Sequence, residues 1–392
     1  MKTKLTILLS LFVITLFAQK NLPVINATSK LVDIREGDEF SKGQWTLVPE
    51  MKPDIYITNN KNAKVTFYTD QDSISFVARP GEAHDFVILL NGKDSAFTQV
   101  IYVPPYLETL KMADKYNLND KRKLPQFTYQ SSDNPNLKAL REGFNLDSIA
   151  GTGNEVSQIL NVLHWIHELI PHDGNNGNPQ IKNAMSMIQE CKASDRGLNC
   201  RGLATVLNEC YLSMGIPSRF VTCLPKDSLG IDMDCHVINM VYAKSLEKWL
   251  WIDPTHDAYV MNEKGELLSI QEVRERVIND EPIILNPTAN WNHKSSTLKE
   301  NYIYNYMAKN LYMFECPVHS EYDTETRKKG KQIDYIKLLP LDYFKQLPDK
   351  TKYTNKKSGT KFTTYKTNNP NLFWQAPANL QQDTPKPKAS KK

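Results

Sequence analysis

Apolar positions along this chain repeat with two periods, and the change from one to the other marks where strands give way to helices. Between residues 24 and 105 the runs are short and alternate, at Trp45 to Val48, Asp54 to Thr58, Lys64 to Thr69, Ser73 to Ala78, Asp85 to Leu90 and Ala96 to Val103. Asn91 and Gly92 mark a tight turn between the last two. Strands of this kind bury one face each, which predicts a small sandwich or open barrel. From Tyr106 to Asn117 the spacing becomes helical, and the charged, proline-containing stretch from Asp120 to Asn136 reads as a linker. Helices are predicted from Asn136 to Gly143 and from Asn154 to Ile170.

A third helix starts at Cys200. Leu203, Val206, Leu207, Cys210 and Met214 follow at a spacing that buries one face, Asn199 is a good N-cap, and Gly215 with Pro217 is a good stop. The pattern then returns to strands at Ser218 to Cys223, Val237 to Tyr242 and Lys248 to Asp253. A turn centred on Lys244 and Ser245 would pair Tyr242 with Glu247 and His236 with Asp253. Directly opposed residues share a side of the sheet, with Cβ atoms roughly 4.5–5.5 Å apart. A one-residue slip would turn one of them away.

Beyond Thr255 a helix from Ile270 to Val277 and a tyrosine-rich segment from Tyr302 to Met313 read as a continuation of the same domain or a small C-terminal module. Residues 321 to 370 are basic and polar, with runs at Arg327 to Lys331 and Lys356 to Lys357, as in a solvated face or loop, while Phe373 and Trp374 suggest that part of it docks. The last residues, 381 to 392, are rich in Pro and Lys and are expected to be disordered. At the other end, Lys2 and Lys4 precede an apolar run from Leu5 to Ala18 that has the form of a signal peptide and is too short for a membrane span. The expected organisation is a signal peptide over 1–18, a β-rich accessory domain over 19–105, a helix and linker over 106–136, an α+β domain over 137–320, a C-terminal extension over 321–380 and a tail over 381–392.

Composition narrows the function more than the fold. The 392 residues carry 48 Lys and Arg against 44 Asp and Glu, a net charge of +4 without an arginine-rich cluster. That balance argues against a nucleic-acid partner, and the hydropathy argues against stable membrane insertion. Secretion or export to a periplasm would allow the six cysteines to form disulfides. Cys223 and Cys235 flank the polar loop from Leu224 to Asp234 and are the expected pair, Cys210 falls on the buried helical stripe, and Cys191 and Cys316 are undecided.

The candidate chemistry lies in Cys200, His236 and Asp253. A thiol is a strong nucleophile near neutral pH only as a thiolate, which needs a nearby imidazolium and gains from a helix N-terminus. A carboxylate opposite the imidazole would orient it and stabilise its charged form. Taken singly, a cysteine at a helix start is usually a core residue, a histidine before a strand a satisfied polar group, and Asp, Pro, Thr an ordinary turn. Their joint order on suitable elements is what points to a nucleophile, a base and an orienting acid. His164, His167 and His172 invite a metal reading, but a separation of three with Pro171 interrupting does not match helical zinc spacing, so packing and capping roles are expected and no metal or other cofactor. His256 and Asp257 read as cleft-wall or turn residues.

These segments resemble the core of the transglutaminase-like cysteine hydrolase superfamily, which is similar to papain in order and chemistry. The resemblance rests on Leu160 to Ile170, Gly197 to Cys200, Met214 to Arg219, the Cys235 and His236 strand start, and Trp251 to Thr255. It implies an α+β fold in which the cysteine helix packs on an antiparallel sheet, with Cys200 as nucleophile, His236 as base and Asp253 as orienting acid. Val237 and Ile238 stand where many members carry a small residue and then Trp, and Leu198 and Asn199 replace a commoner glycine-containing approach. Trp165 lies about as far before the cysteine as the Trp that helps hold the oxyanion in animal transglutaminases, yet its neighbours Leu163, Ile166 and Leu169 favour core packing. The resemblance implies thiol-dependent acyl transfer on a protein or peptide substrate, with cell-wall peptide and glycoconjugate among the open choices. Protease or amidase activity is the favoured form; a crosslinking transglutaminase and a non-catalytic scaffold are the alternatives. The second oxyanion donor is unassigned.

Overall fold

The computed structural model describes residues 22–49, 53–226, 234–344 and 349–378. The expected signal peptide, the C-terminal tail and most of the loop before Asp234 lie outside them. The chain divides into two units, Met1–Pro105 and Tyr106–Lys392.

Eight strands make up the first unit: β1 (Val24–Ala27), β2 (Leu31–Glu36), β3 (Glu39–Thr46), β4 (Asp54–Thr58), β5 (Lys64–Tyr68), β6 (Ser73–Val77), β7 (Ala83–Leu90) and β8 (Asp94–Tyr102). They form two four-stranded sheets in the orders β1-β7-β8-β4 and β3-β2-β5-β6. Inward residues of both sheets, among them Val32, Ile34, Val65, Phe67, Phe86, Ile88 and Val100, share one core. The expected turn is present, since Asn91 and Gly92 take positive φ at the tip of the β7–β8 hairpin. The charged residues Asp33, Arg35 and Glu36, which alternate with buried Val32 and Ile34, disguise β2 in the sequence.

The second unit contains helices α1 (Tyr106–Lys111), α2 (Pro135–Gly143), α3 (Leu146–Ala150), α4 (Glu155–Leu169), α5 (Ala184–Ser194), α6 (Cys200–Ser213) and α7 (Ile270–Ile278). Its strands are β9 (Thr128–Tyr129), β10 (Ser218–Leu224), β11 (His236–Ala243), β12 (Lys248–Asp253), β13 (Ala258–Met261), β14 (Ile284–Leu285), β15 (Asn290–Trp291), β16 (Ser295–Ser296), β17 (Met313–Pro317), β18 (His319–Ser320), β19 (Gln332–Leu338), β20 (Lys350–Thr354) and β21 (Lys361–Thr367). Nine of these form one sheet in the order β14-β13-β12-β11-β10-β17-β19-β21-β20, antiparallel except for the β19–β21 pair. Helices α4, α5 and α6 pack with Val241, Ala243, Leu250 and Ile252 on one face. Val273 and Val277 of α7, with Tyr302 to Tyr312, pack with Met240, Tyr242, Trp249 and Trp251 on the other. This is an α+β architecture in which the central strands are covered on both sides.

Four features depart from the sequence expectation. Helix α6 is buried all round from Gly202 to Ser213, not on one face, because α2, α4 and α5 contact it as well as β10 and β11. Its polar residues are accordingly paired, with Glu209 accepting from the Ala184 and Asp323 N–H groups and Asn208 donating to Ser320. The turn after β11 has four residues, Lys244 to Glu247, with Glu247 at positive φ, so Tyr242 faces Trp249 and the pairing is displaced by two residues. A displacement of two preserves the face of every side chain, which leaves His236 and Asp253 on one side but diagonal instead of opposed. The expected Cys223–Cys235 bridge is absent: all six cysteines are free, and Cys223 pairs in register with His236, so Cys235 begins on the opposite face. Finally, the segment expected as a solvated extension supplies β19, β20 and β21. The lysines in it obscure Ile333, Tyr335, Ile336 and Leu338, which bury β19 on both faces.

Candidate active site

Helix α6 begins where the sequence places it. The Asn199 side chain accepts from the Gly202 N–H at 3.1 Å, and Asn178 holds Asn199 through two hydrogen bonds, at 2.7 and 3.1 Å. Cys200 therefore occupies the first helical position, beside unpaired N–H groups and the positive end of the dipole. A Cβ on Gly202 would lie 2.6 Å from Asn178 Oδ1, so only glycine admits this clamp. Gly197 serves a second approach. Its neighbour Leu198 donates to the Pro171 carbonyl at 3.1 Å and accepts from the Asp173 N–H at 2.8 Å, and a Cβ on Gly197 would fall on that carbonyl oxygen. The chain from Pro171 to Asp173 is thereby drawn against the start of α6.

His236 and Asp253 are both fully buried, with His236 Nε2 2.7 Å from Asp253 Oδ2. Asp253 Oδ2 also accepts from the Tyr302 hydroxyl at 2.5 Å, and its Oδ1 accepts from the Thr255 N–H at 2.8 Å. Burial pushes the Asp253 carboxyl up, but the charge and hydrogen bond of His236, helped by His256 and Tyr302, hold it well below its usual range. Burial pushes His236 down, and Asp253 overrides it, raising the imidazole to about 10 with help from Cys200. Nε2 being taken, Nδ1 is left for the sulfur.

The Cys200 sulfur sits at the opening of β11, 4.0 Å from the Cys235 carbonyl oxygen. Burial raises its thiol, but hydrogen bonds from His172 and His236, the His236 charge and the Val237 N–H together bring it down to about 6. The other cysteines are all pushed upward, chiefly by burial. Between about pH 6 and pH 10 the favoured state is a thiolate beside an imidazolium, the form in which sulfur attacks a carbonyl carbon.

The sulfur and the imidazole open on a cavity of about 670 Å³ whose wall includes His172, His256, Trp291, Leu298, Tyr302 and Tyr306. His256 bonds Thr297 at 2.9 Å through Nδ1, packs against Tyr302 and Trp291, and is lowered to about 4 by burial. It is thus a neutral wall, as the cleft-wall reading expected. His236, Asp253 and His256 present ligand atoms within 4.8 Å of one another and could hold a metal ion. In the structure, His236 and Asp253 are already joined to each other through Nε2 and Oδ2.

The remaining histidines are dispersed. His164 pairs with Asp257 at 2.9 Å, and His167 bridges the Pro254 carbonyl and Asn290, so both fasten α4 to the chain after Asp253. Trp165 packs on Phe144 among the helices, in keeping with the core reading. His172 is the site residue that sequence reasoning missed: grouped with the helix histidines, it instead lines the cavity beside Cys200. The signal available was Gly197, whose need for a close approach could have drawn the segment after Pro171 to Cys200. Tyr302 and Trp291 were also missed, because both come from beyond Thr255.

Residues 143–254 match the sequence profile described as the transglutaminase-like superfamily. No curated protein matches the chain. Among solved structures it is similar to a candidate cysteine protease from Cytophaga hutchinsonii, at 17% identity over 63% of this chain and 73% of that one, with a TM-score of 0.25. It is also similar to LapG from Legionella pneumophila, at 13% identity over 37% and 77%, with a TM-score of 0.24. Red sea bream transglutaminase follows at 11% identity over 60% and 49%, with a TM-score of 0.22. Overall superpositions this loose carry no argument, and the profile match is what bears on the family. Helix α6, β10, β11 and β12 all fall within it, so residues 143–254 form a transglutaminase-like core.

Proposed function

We propose that this protein is an exported thiol-dependent acyl-transfer enzyme acting on peptide or amide bonds, with Cys200 as nucleophile, His236 as general acid and base, and Asp253 as the group that orients and charges the imidazole. The observation that carries this reading is the buried His236–Asp253 pair, 2.7 Å apart, with His236 lining one cavity together with Cys200 of the first turn of α6. The Cys200 thiolate forms a bond to the carbonyl carbon, and the imidazolium of His236 gives its proton to the leaving amine as the C–N bond breaks. The resulting thioester is attacked by water, whose proton passes to His236, and collapse returns the sulfur and releases the acid. The Cys200 N–H, free of an intrahelical partner at the first turn, supports the oxyanion.

Water is the acceptor we favour, which makes the enzyme a protease or amidase. A lysine amine in the same place would make a crosslinking enzyme. Export rests on the charged and apolar pattern of the first 18 residues. Among the described residues no helix is long and apolar enough to cross a membrane. A peptide-library digest with product mass analysis tests the reading, because it separates cleavage, deamidation and crosslinking in one measurement. Products formed by the native chain and lost in Cys200→Ala support it; products formed equally by both overturn it.

A further inference from the structure

We propose that His172 is a catalytic residue of this site, the second hydrogen-bond donor to the oxyanion, acting beside the Cys200 N–H. The inference rests on the acyl-transfer reading above and adds to it the donor that the sequence left open.

The argument begins with where the charge goes. In the resting site it sits on sulfur, and the His172 ring lines the cavity onto which that sulfur opens, on the segment that the ladder to Leu198 draws against the start of α6. When sulfur attacks, the charge moves to the oxygen of the carbon it has just bonded, one atom away. A donor fixed in the wall beside the sulfur can meet it there with little movement, which is the condition for strong stabilisation of a developing anion. His236 cannot take this task, since its proton goes to the leaving amine.

His172 is also held as such a donor must be. Its backbone is clamped by Asn292, which accepts from the His172 N–H at 2.6 Å and donates to the His172 carbonyl at 2.9 Å. The ladder to Leu198 fixes the residues on either side, and the Trp291 ring lies against the imidazole with centroids 4.5 Å apart. The imidazole is thus positioned by main chain and by its face, and its polar atoms are not spent on structure. Its Nδ1 is buried and has no hydrogen-bond partner. A buried polar atom left unpaired in the wall of a reaction cavity is one that a ligand can satisfy.

A residue that only supported the thiolate would behave differently, and two reactions of the same sulfur separate the cases. Alkylation by iodoacetamide needs the thiolate but forms no oxyanion. Acylation by p-nitrophenyl acetate needs both. Plateau rates are compared above the thiol titration for the native protein, His172→Gln and His172→Phe, with melting temperature as the check on folding. His172→Phe is expected to slow acylation on the order of 10²–10³-fold, the usual effect of losing an oxyanion donor, while its alkylation plateau stays within about threefold; His172→Gln, which keeps an N–H, is expected to stay within about tenfold of native acylation. If the Phe variant does not fold, His172→Met, flexible and without a donor, replaces it. Acylation unchanged by the loss of the donor, or acylation and alkylation slowed by the same factor, overturns the inference alone. A native protein whose Cys200 neither alkylates preferentially nor acylates overturns the acyl-transfer reading with it.

Discussion

Replacing His236 by Ala removes the imidazolium that faces Cys200, and the size of the effect follows from the site. Lowering the thiol from 9.0 to about 6 represents about 4 kcal/mol of preference for the thiolate, at ~1.36 kcal/mol per tenfold. His236 contributes both a hydrogen bond and a charge to that preference, whereas His172 and the Val237 N–H contribute hydrogen bonds only, and burial opposes all of them. Without His236 the thiol should return to at least the ordinary range, about 8.5. At pH 7 the thiolate fraction would then fall from about 0.9 to about 0.03, roughly thirtyfold. The more basic thiolate is intrinsically more reactive, by about tenfold for such a change. A rate at one pH would therefore move only about threefold and would decide little. The midpoint of the rate against pH is the quantity to measure. Iodoacetamide labelling of Cys200, mapped by mass spectrometry between pH 4.5 and 10, should give a midpoint near 6 in the native protein and at least about two pH units higher in His236→Ala. Equal midpoints, or a native midpoint in the ordinary thiol range, would refute the reasoning.

Other outcomes follow from the same geometry. Acyl transfer should rise with pH through about 6 as Cys200 ionises and fall through about 10 as His236 loses its proton; a profile still rising past the upper value would remove His236 as the acid. Asp253→Asn keeps the shape but not the charge that raises His236, so turnover should drop on the order of 10³–10⁴-fold and the falling limb should move to lower pH. Tyr302→Phe deletes the hydroxyl that bonds Asp253 at 2.5 Å and should cost about 1.5–3 kcal/mol in urea unfolding. Gly197→Ala should cost about 1–3 kcal/mol and slow acylation, while Gly177→Ala, whose Cβ would meet open space, should do neither. Alkylation after denaturation without reductant should modify all six cysteines; modification of only four would restore a disulfide.

What the sequence revealed and what it hid have physical causes. The start of α6 was readable because an N-cap, a glycine stop and a 3.6-residue stripe are local signals, and Asn199, Gly215 and the leucines carry them. The β11–β12 pairing was placed two residues out because a four-residue turn with Glu247 at positive φ has no signature as clear as Asn-Gly. That error left the faces intact, which is why His236 and Asp253 still meet. The full burial of α6 was not readable, since no local pattern reports how many layers will cover a helix, and Glu209 looks like a surface residue until Ala184 and Asp323 are brought to it. Tyr302 meets Asp253 across 49 positions and Asn292, next to Trp291, meets His172 across 120, distances over which only topology speaks.

The Tyr302 hydroxyl that donates to Asp253 and most of the aromatic wall of the cavity come from residues after 254, and β17 and β19 shield the flank of β10 from water. A shortened gene product ending where the profile ends would keep the sulfur, the imidazole and the carboxylate yet expose a raw sheet margin and a half-built chamber. A shorter chain meant to keep this chamber whole would therefore lose residues from the first unit and retain everything from Tyr106 through Trp374.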